Sequence, residues 1–330
     1  MIRIAIVGFG VVGQGVAEML LTKKSEIEKR VGKYEVVAIA DSKSSIVGEV
    51  DLKKALEMKK STGRLEGDKK ALEIVEEVDY DVLFECTPTD VNTGEPGLTH
   101  IKVALERGKD VVTSNKGPLV VAYKELCKIA ERNSCRIGFE ATVGGAMPLI
   151  KLVKNDLAAS GILGIRGILN GTCNYILSRM ELEGMPYEQI LSEAIELGIA
   201  EADPSYDVKG IDAAAKLVII ANALMGLDVK FEDVEVEGIE GITPEAFEVA
   251  KKRGYTIRLI AEAEKTLRVS PRLVPTNHPL NVYGTLNAAE ITTESAGKVF
   301  VIGRGAGKLE TASAMISDFI DMYDRRNIRC

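Results

Sequence analysis

Asp212 and Lys216 stand four residues apart, the spacing that places two side chains on one face of a helix. Ile219 and Ile220 continue that face, so the acid and the base border an apolar surface. A pair in such surroundings can share a proton relay. The same spacing also suits a surface ion pair worth about 0.3–0.5 kcal/mol, and spacing alone leaves both readings open. Upstream, a loop carries Glu201, Asp203 and Asp207. Further upstream, Asn170-Gly171-Thr172-Cys173-Asn174 follows an apolar strand and opens a helix. The unpaired N–H groups of a helix start can hold a carboxylate, although a well-capped strand-to-helix turn would read the same way. The only two histidines are His100, at the start of an amphipathic helix, and His278, in a proline-flanked loop. Both settings suit structural roles, so proton chemistry falls to a lysine or a carboxylate.

A second constellation lies at the N-terminus. Gly8-Phe9-Gly10-Val11-Val12-Gly13 follows an apolar strand and opens a helix, the context in which a G-x-G-x-x-G run binds a dinucleotide rather than merely making a turn. Gly8 permits the tight turn, Gly10 leaves room for a pyrophosphate, and Gly13 allows close helix–strand packing. Asp41, at the end of the second strand, can accept hydrogen bonds from the adenosine ribose and so favours NAD. Lys43, two residues later, could meet the 2′-phosphate of NADP instead. Thr87 and Lys116 each follow a strand end, on the side of an open α/β sheet where ligands lie. For Lys116 a solvated surface position stays open.

These residues need a scaffold, and the hydrophobic pattern supplies one. Short apolar runs at 2–7, 35–40, 81–86, 110–113 and 136–139 read as strands buried on both faces. Helical patterns at 13–29, 99–107 and 122–133 lie between them, and a helix at 52–60 makes an excursion. Alternating β and α implies a doubly wound Rossmann-type sheet. Beyond residue 144 the pattern changes to helices at 147–159, 172–182, 187–197, 211–227 and 244–253, with strands at 164–169, 256–264, 267–274 and 299–302. The fold class expected is α/β, with a second α+β domain for substrate binding and dimerisation. A final helix at 308–323 follows a glycine-rich loop at 303–307 and returns to the nucleotide cleft. The expected division is 1–135, 136–302 and 303–330.

The 330 residues, 46% hydrophobic and 28% charged, can fill two cores. A net charge of −7 argues against a nucleic-acid partner. No apolar run approaches a membrane span, and no secretory leader is visible, so a cytoplasmic location is expected. Cys86, Cys127, Cys135 and Cys173 read as buried free thiols; Cys330, in an arginine-rich tail, could pair with another chain.

Five segments in order carry a resemblance to the homoserine dehydrogenases: GFGVVGQG at the start, TSNKGPL at 113–119, FEATVGGAMPLI at 139–150, LNGTCNYIL at 169–177 and LGIAEADPSYDVKGIDAAAKL at 197–217. The resemblance implies oxidation of L-homoserine to L-aspartate 4-semialdehyde with NAD or NADP, and the reverse reduction, in the route to threonine, isoleucine and methionine. It implies that Lys216 and Lys116 serve proton transfer, with Lys216 as acid and base. Glu201, Asp212, Thr172 and Asp207 would bind substrate, and Gly305 would touch the cofactor. A monovalent cation, Na+ or K+, would sit on backbone oxygens of Glu140, Val143, Gly145 and Met147, and the enzyme would be a homodimer. No fused kinase or regulatory domain is expected. Two other readings stay in view. An aldehyde-oxidising relative would need a thiolate, for which Cys173 is the candidate. A non-catalytic NAD-binding sensor would have no need of Glu201, Asp212 and Lys216 together.

Overall fold

The computed structural model describes residues 1–325, so the expectation for Cys330 falls outside the described residues. The chain forms two compact units, Met1–Gly145 with the segment from Gly307 onward, and Ala146–Ala306.

The first unit is built on a six-stranded sheet. Its strands are β1 (Ile2–Val7), β2 (Tyr34–Ala40), β3 (Ser45–Val47), β4 (Val82–Glu85), β5 (Asp110–Thr113) and β6 (Ile137–Gly138), in the order β3-β2-β1-β4-β5-β6. All neighbours are parallel except β3 on β2. The side chains of β1, β4 and β5 are buried at nearly every position, as a sheet covered by helices on both faces requires. Those helices are α1 (Val11–Thr22), α2 (Lys24–Val31), α3 (Leu52–Thr62), α4 (Ala71–Glu77), α5 (Gly97–Glu106) and α6 (Gly117–Arg132). The helix expected over 13–29 is two helices, because Lys23 leaves helical geometry at φ −105°, ψ 19°. The chain reverses direction across the sheet at β1, which has β2 on one side and β4 on the other. Such a switch point opens a crevice at the carboxyl ends of the strands.

The second unit is a mixed sheet with helices. It contains β7 (Ile162–Ile168), β8 (Glu235–Val236), β9 (Tyr255–Ala263), β10 (Leu267–Pro275), β11 (Leu286–Thr293) and β12 (Lys298–Arg304), in the order β12-β11-β7-β9-β10-β8. Its helices are α7 (Leu149–Lys151), which widens into a π-type turn at Leu152–Asp156, then α8 (Gly171–Glu183), α9 (Tyr187–Glu196), α10 (Ser205–Val208), α11 (Ile211–Leu224) and α12 (Pro244–Lys251). β11 is absent from the sequence pattern, since LNAAEITT has an asparagine and two alanines in its first half and carries a glutamate. Glu290 is nonetheless 1% exposed, paired with Arg166 at 3.0 Å, Lys298 at 2.8 Å and His278 at 3.2 Å. It begins a row of alternating charge across the sheet, Glu290, Arg166, Glu262, Arg268 and Glu235, each directly opposite the next. Opposite charges facing each other across strands support the register.

From Gly307 the chain rejoins the first unit as α13 (Lys308–Tyr323). Phe319 is fully buried, edge-on to Phe84 at 5.7 Å and to Tyr34 at 6.1 Å between ring centroids. A Cβ on Gly15 of α1 would lie 2.8 Å from the Lys308 carbonyl oxygen, so α1 and α13 touch through backbone. The expected boundaries shift accordingly. Residues 136–145 belong to the first unit because β6 pairs with β5. Gly303 and Arg304 are still strand, which leaves only 305–307 as the connecting loop. Three of the thiols expected to be buried, Cys86, Cys127 and Cys135, are half-buried, and Cys173 is buried.

Phe319→Ala should lower the stability of the first unit by about 3–5 kcal/mol, the usual cost of emptying a buried aromatic site. Urea unfolding followed by circular dichroism measures it, and a midpoint equal to wild type would show that α13 adds nothing to this core.

Candidate active site

In the first unit the glycine run forms the turn between β1 and α1. Gly8 has φ +88°, and a Cβ there would lie 2.3 Å from the carbonyl carbon of Cys86. A Cβ on Gly13 would lie 2.2 Å from the Gly8 oxygen, whereas one on Gly10 would meet nothing within 4 Å. Gly8 and Gly13 are thus needed for packing, and Gly10 leaves open space at the helix start. No side chain caps the first N–H groups of α1, so they can take a phosphate. Val11 is exposed, Val12 half-buried, and Phe9 points into the core, offering only its backbone. This cradle fits a dinucleotide.

Asp41 stands past the end of β2 with its carboxylate already engaged. It accepts the N–H of Lys43 and of Ser44, both at 2.7 Å, and pairs with Lys59 of α3. Burial pushes its carboxyl up, but the Lys59 ammonium and the hydrogen bonds from Lys43 and Ser44 outweigh that and hold it below the ordinary value. Lys59 is a residue that sequence reasoning missed, because the 52–60 helix reads as an excursion. Arg64 reaches the same loop through the Lys43 carbonyl at 3.3 Å. Thr87 follows β4, and Lys116 lies between β5 and α6.

The second unit gathers most of its predicted residues. The Lys216 Nζ donates to Asp212 Oδ2 at 2.8 Å and to the Leu169 carbonyl at 2.7 Å. Asp212 is 6% exposed and Lys216 7%. The pair is therefore not a surface ion pair. Asn170 caps α8 by accepting from the Cys173 N–H at 2.8 Å, and its amide donates to Asp212 at 2.9 Å and to Asp207 at 2.7 Å. One asparagine so ties the helix start to both acids, a role hidden in sequence because α10 and α11 are distant in the chain. Burial and the charge of Asp212 raise the Asp207 carboxyl above its ordinary value. Thr172 donates its hydroxyl to the Ile199 carbonyl at 3.3 Å, and Glu201 is exposed on the loop before α10. Cys173 is fully buried, and burial with the charges of Asp207 and Asp212 pushes its thiol well up. That disfavours the thiolate an aldehyde-oxidising relative would use.

The remaining predicted positions are distributed. Glu140, Val143 and Gly145 close the first unit, and Met147 opens the second. Glu140, Val143 and Met147 are buried, and the Glu140 N–H donates to Asp318 at 2.9 Å. A Cβ on Gly305 would lie 1.9 Å from the Asn287 amide nitrogen, so packing against Asn287 already requires glycine there. No helix among the described residues is long and apolar enough to cross a membrane.

An open helix start at the switch point of a parallel sheet, in a chain that also buries an acid–lysine pair, defines a nicotinamide-dependent oxidoreductase. The homoserine dehydrogenase NAD-binding domain model matches residues 8–140, and the homoserine dehydrogenase model matches 148–320. Homoserine dehydrogenase of Methanocaldococcus jannaschii is 49% identical over 97% of this chain and 98% of its own length. A crystal structure assigned to homoserine dehydrogenase of Archaeoglobus fulgidus superimposes with a TM-score of 0.95 at 60% identity, covering 98% of this chain and 100% of that one. A hyperthermophilic archaeal homoserine dehydrogenase in complex with NADPH gives 0.85 at 35% identity, covering 97% of both chains. The chain belongs to the homoserine dehydrogenase family, whose NAD(P)-dependent reaction interconverts L-homoserine and L-aspartate 4-semialdehyde in amino-acid biosynthesis.

The raised Asp207 carboxyl has a pH consequence. Its folded pKa exceeds the unfolded one, so it favours folding below the ordinary carboxylate range, and that contribution is lost as pH rises through the raised value. Asp207→Asn keeps the acceptor for Asn170 and cannot ionise. Its melting temperature relative to wild type should therefore be higher at neutral pH than in mild acid. A difference independent of pH in thermal melts would show that Asp207 ionises as it does in the unfolded chain.

Proposed function

We propose that Lys216 is the acid and base of the reaction, and the observation that carries this is its burial with Asp212 and the Leu169 carbonyl. In homoserine oxidation the hydroxyl proton passes to the Lys216 amine, and in the reverse direction the ammonium returns it to the aldehyde oxygen. NAD(P) bound at the glycine turn accepts the hydride. Asp212 holds Lys216 in place, and Asn170 holds Asp212. The first N–H groups of α8 with Thr172 suit the substrate carboxylate, and Glu201 and Asp207 suit its ammonium. Lys116 is the second lysine of proton transfer.

The cofactor contacts are Gly8, Phe9, Gly10, Val11, Val12, Gly13, Asp41, Lys43, Thr87, Lys116 and Gly305. We favour NAD as the cofactor, through Asp41, with NADP accepted because Lys43 and Lys59 stand beside it. A monovalent cation would be held by backbone oxygens of Glu140, Val143, Gly145 and Met147. The second unit serves substrate binding and dimerisation of a homodimer. The net charge of −7 supports a protein without nucleic-acid partners, and the same reading has no membrane partner and a cytoplasmic location.

Purified protein should reduce NAD or NADP with L-homoserine and oxidise the reduced cofactor with aspartate semialdehyde. Lys216→Ala should lose ~10²–10⁴-fold in kcat with cofactor affinity nearly unchanged. A kcat close to wild type would make the pair purely structural. Asp41→Ala should weaken NAD far more than NADP, because it removes a ribose acceptor and frees Lys59 and Lys43 to meet a 2′-phosphate. Equal losses in titrations with both cofactors would mean that Asp41 does not read the 2′ position.

A further inference from the structure

Glu85 ends β4 at the switch point, and its side chain is fully buried. His100 faces it, with Nδ1 3.7 Å from Oε1. The carboxylate is instead filled by small polar groups. Thr87 donates its N–H to Oε1 at 3.1 Å and its hydroxyl to the same oxygen, and the Thr113 hydroxyl stands 3.1 Å from Oε2. Both hydroxyls also accept from one residue. The Asn115 amide donates to Thr87 Oγ1 at 3.2 Å, and the Asn115 backbone N–H donates to Thr113 Oγ1 at 3.0 Å.

Two hydrogen-bond chains therefore run from Asn115 to one carboxylate. The chain through Thr87 has a set direction, because a carboxylate only accepts and an N–H only donates, while the Thr113 hydroxyl has both Oε2 and the Glu85 carbonyl within reach. The same asparagine donates to the Pro88 carbonyl at 3.1 Å and accepts the Gly117 N–H at 3.0 Å, while the Ser114 N–H donates to the Glu85 carbonyl at 3.2 Å. Residues 114, 115 and 117 are thus all anchored, and Lys116 lies among them. Its own N–H reaches Thr89 Oγ1 at 3.4 Å. The surroundings are closely packed. A Cβ on Gly97 would lie 2.5 Å from the Asn115 amide nitrogen, and one on Gly117 would lie 2.3 Å from the Asp90 carbonyl oxygen.

We propose that Glu85, acting through Thr87, Thr113 and Asn115, is the positioning residue for Lys116. It contributes to dehydrogenation without touching substrate or cofactor. A buried carboxylate there requires these hydrogen bonds, and they lead to the loops that follow β4 and β5. The inference rests on the reading of Lys116 as a proton-transfer residue.

The test is a double-mutant cycle on the full-length enzyme, with kcat for homoserine oxidation, NADH affinity and melting temperature recorded for each variant. Glu85→Ala should lower kcat by up to ~10²-fold, the effect of an ångström of misplacement. Glu85→Gln should restore most of it, because the amide oxygen still accepts from Thr87 and the Thr113 hydroxyl can turn to the backbone oxygen of residue 85 at 3.2 Å. Glu85→Ala combined with Lys116→Ala should be no slower than Lys116→Ala alone, since coupled residues are not additive. Fully additive losses would overturn the proposal, as would a Glu85→Gln as slow as Glu85→Ala. If Glu85→Ala does not fold, Thr113→Val breaks one of the two chains at nearly constant volume and enters the same cycle with the same expectation. A Lys116→Ala enzyme at wild-type kcat would remove the Lys116 reading itself, and the inference with it.

Discussion

An ammonium group taken out of water must bring its counter-charge with it, and much of the second unit is arranged around this requirement at Lys216. Removing one partner from a buried ion pair leaves the other uncompensated, at a cost of about 3–5 kcal/mol. Asp212 therefore sits one helical turn away at 2.8 Å, and the carbonyl of Leu169, two residues before α8, supplies a second acceptor. Asn170 adds the α8 cap and Asp207 to the same set of bonds. The end of β7, the start of α8, α10 and α11 are consequently tied together by these side chains.

The first unit solves a different problem, that of keeping a helix start open. Backbone fills the places where Gly8 and Gly13 have no side chain, yet nothing stands over Gly10. The N–H groups there are not capped by any side chain and stay open to phosphate oxygens. On the other side of the crevice, a buried carboxylate ties two loops together with neutral groups. One rim is shaped by missing atoms and the other by a hydrogen-bond network.

Much of this was legible in the residues. The strands at 2–7 and 110–113 and the helix at 308–323 coincide with β1, β5 and α13, because their apolar periods leave one choice. The Asp212–Lys216 spacing put the pair on one face, and the structure shows that face buried. What escaped depended on contacts distant in sequence. β11 carries a glutamate that only Arg166, His278 and Lys298 make tolerable in a strand interior. Lys59 meets Asp41 only once α3 packs beside α1. Glu85 read as one more strand residue, since its significance comes from Thr113 and Asn115 on another strand and loop. The packing of Gly305 against Asn287, which leaves no room for a side chain, was likewise invisible in the sequence.

The return of α13 also has a consequence for how the polypeptide is made. The helix that buries Phe319 against Phe84 and Tyr34 is encoded after the whole of Ala146–Ala306. At translation rates of about 5–20 residues per second, the ribosome needs roughly 10–30 s to emit that intervening stretch. Throughout this interval the nascent N-terminal sheet lacks part of its cover, with an apolar face open to water and to chaperones. The dinucleotide-binding unit, although it is synthesised first, is the last to be completed.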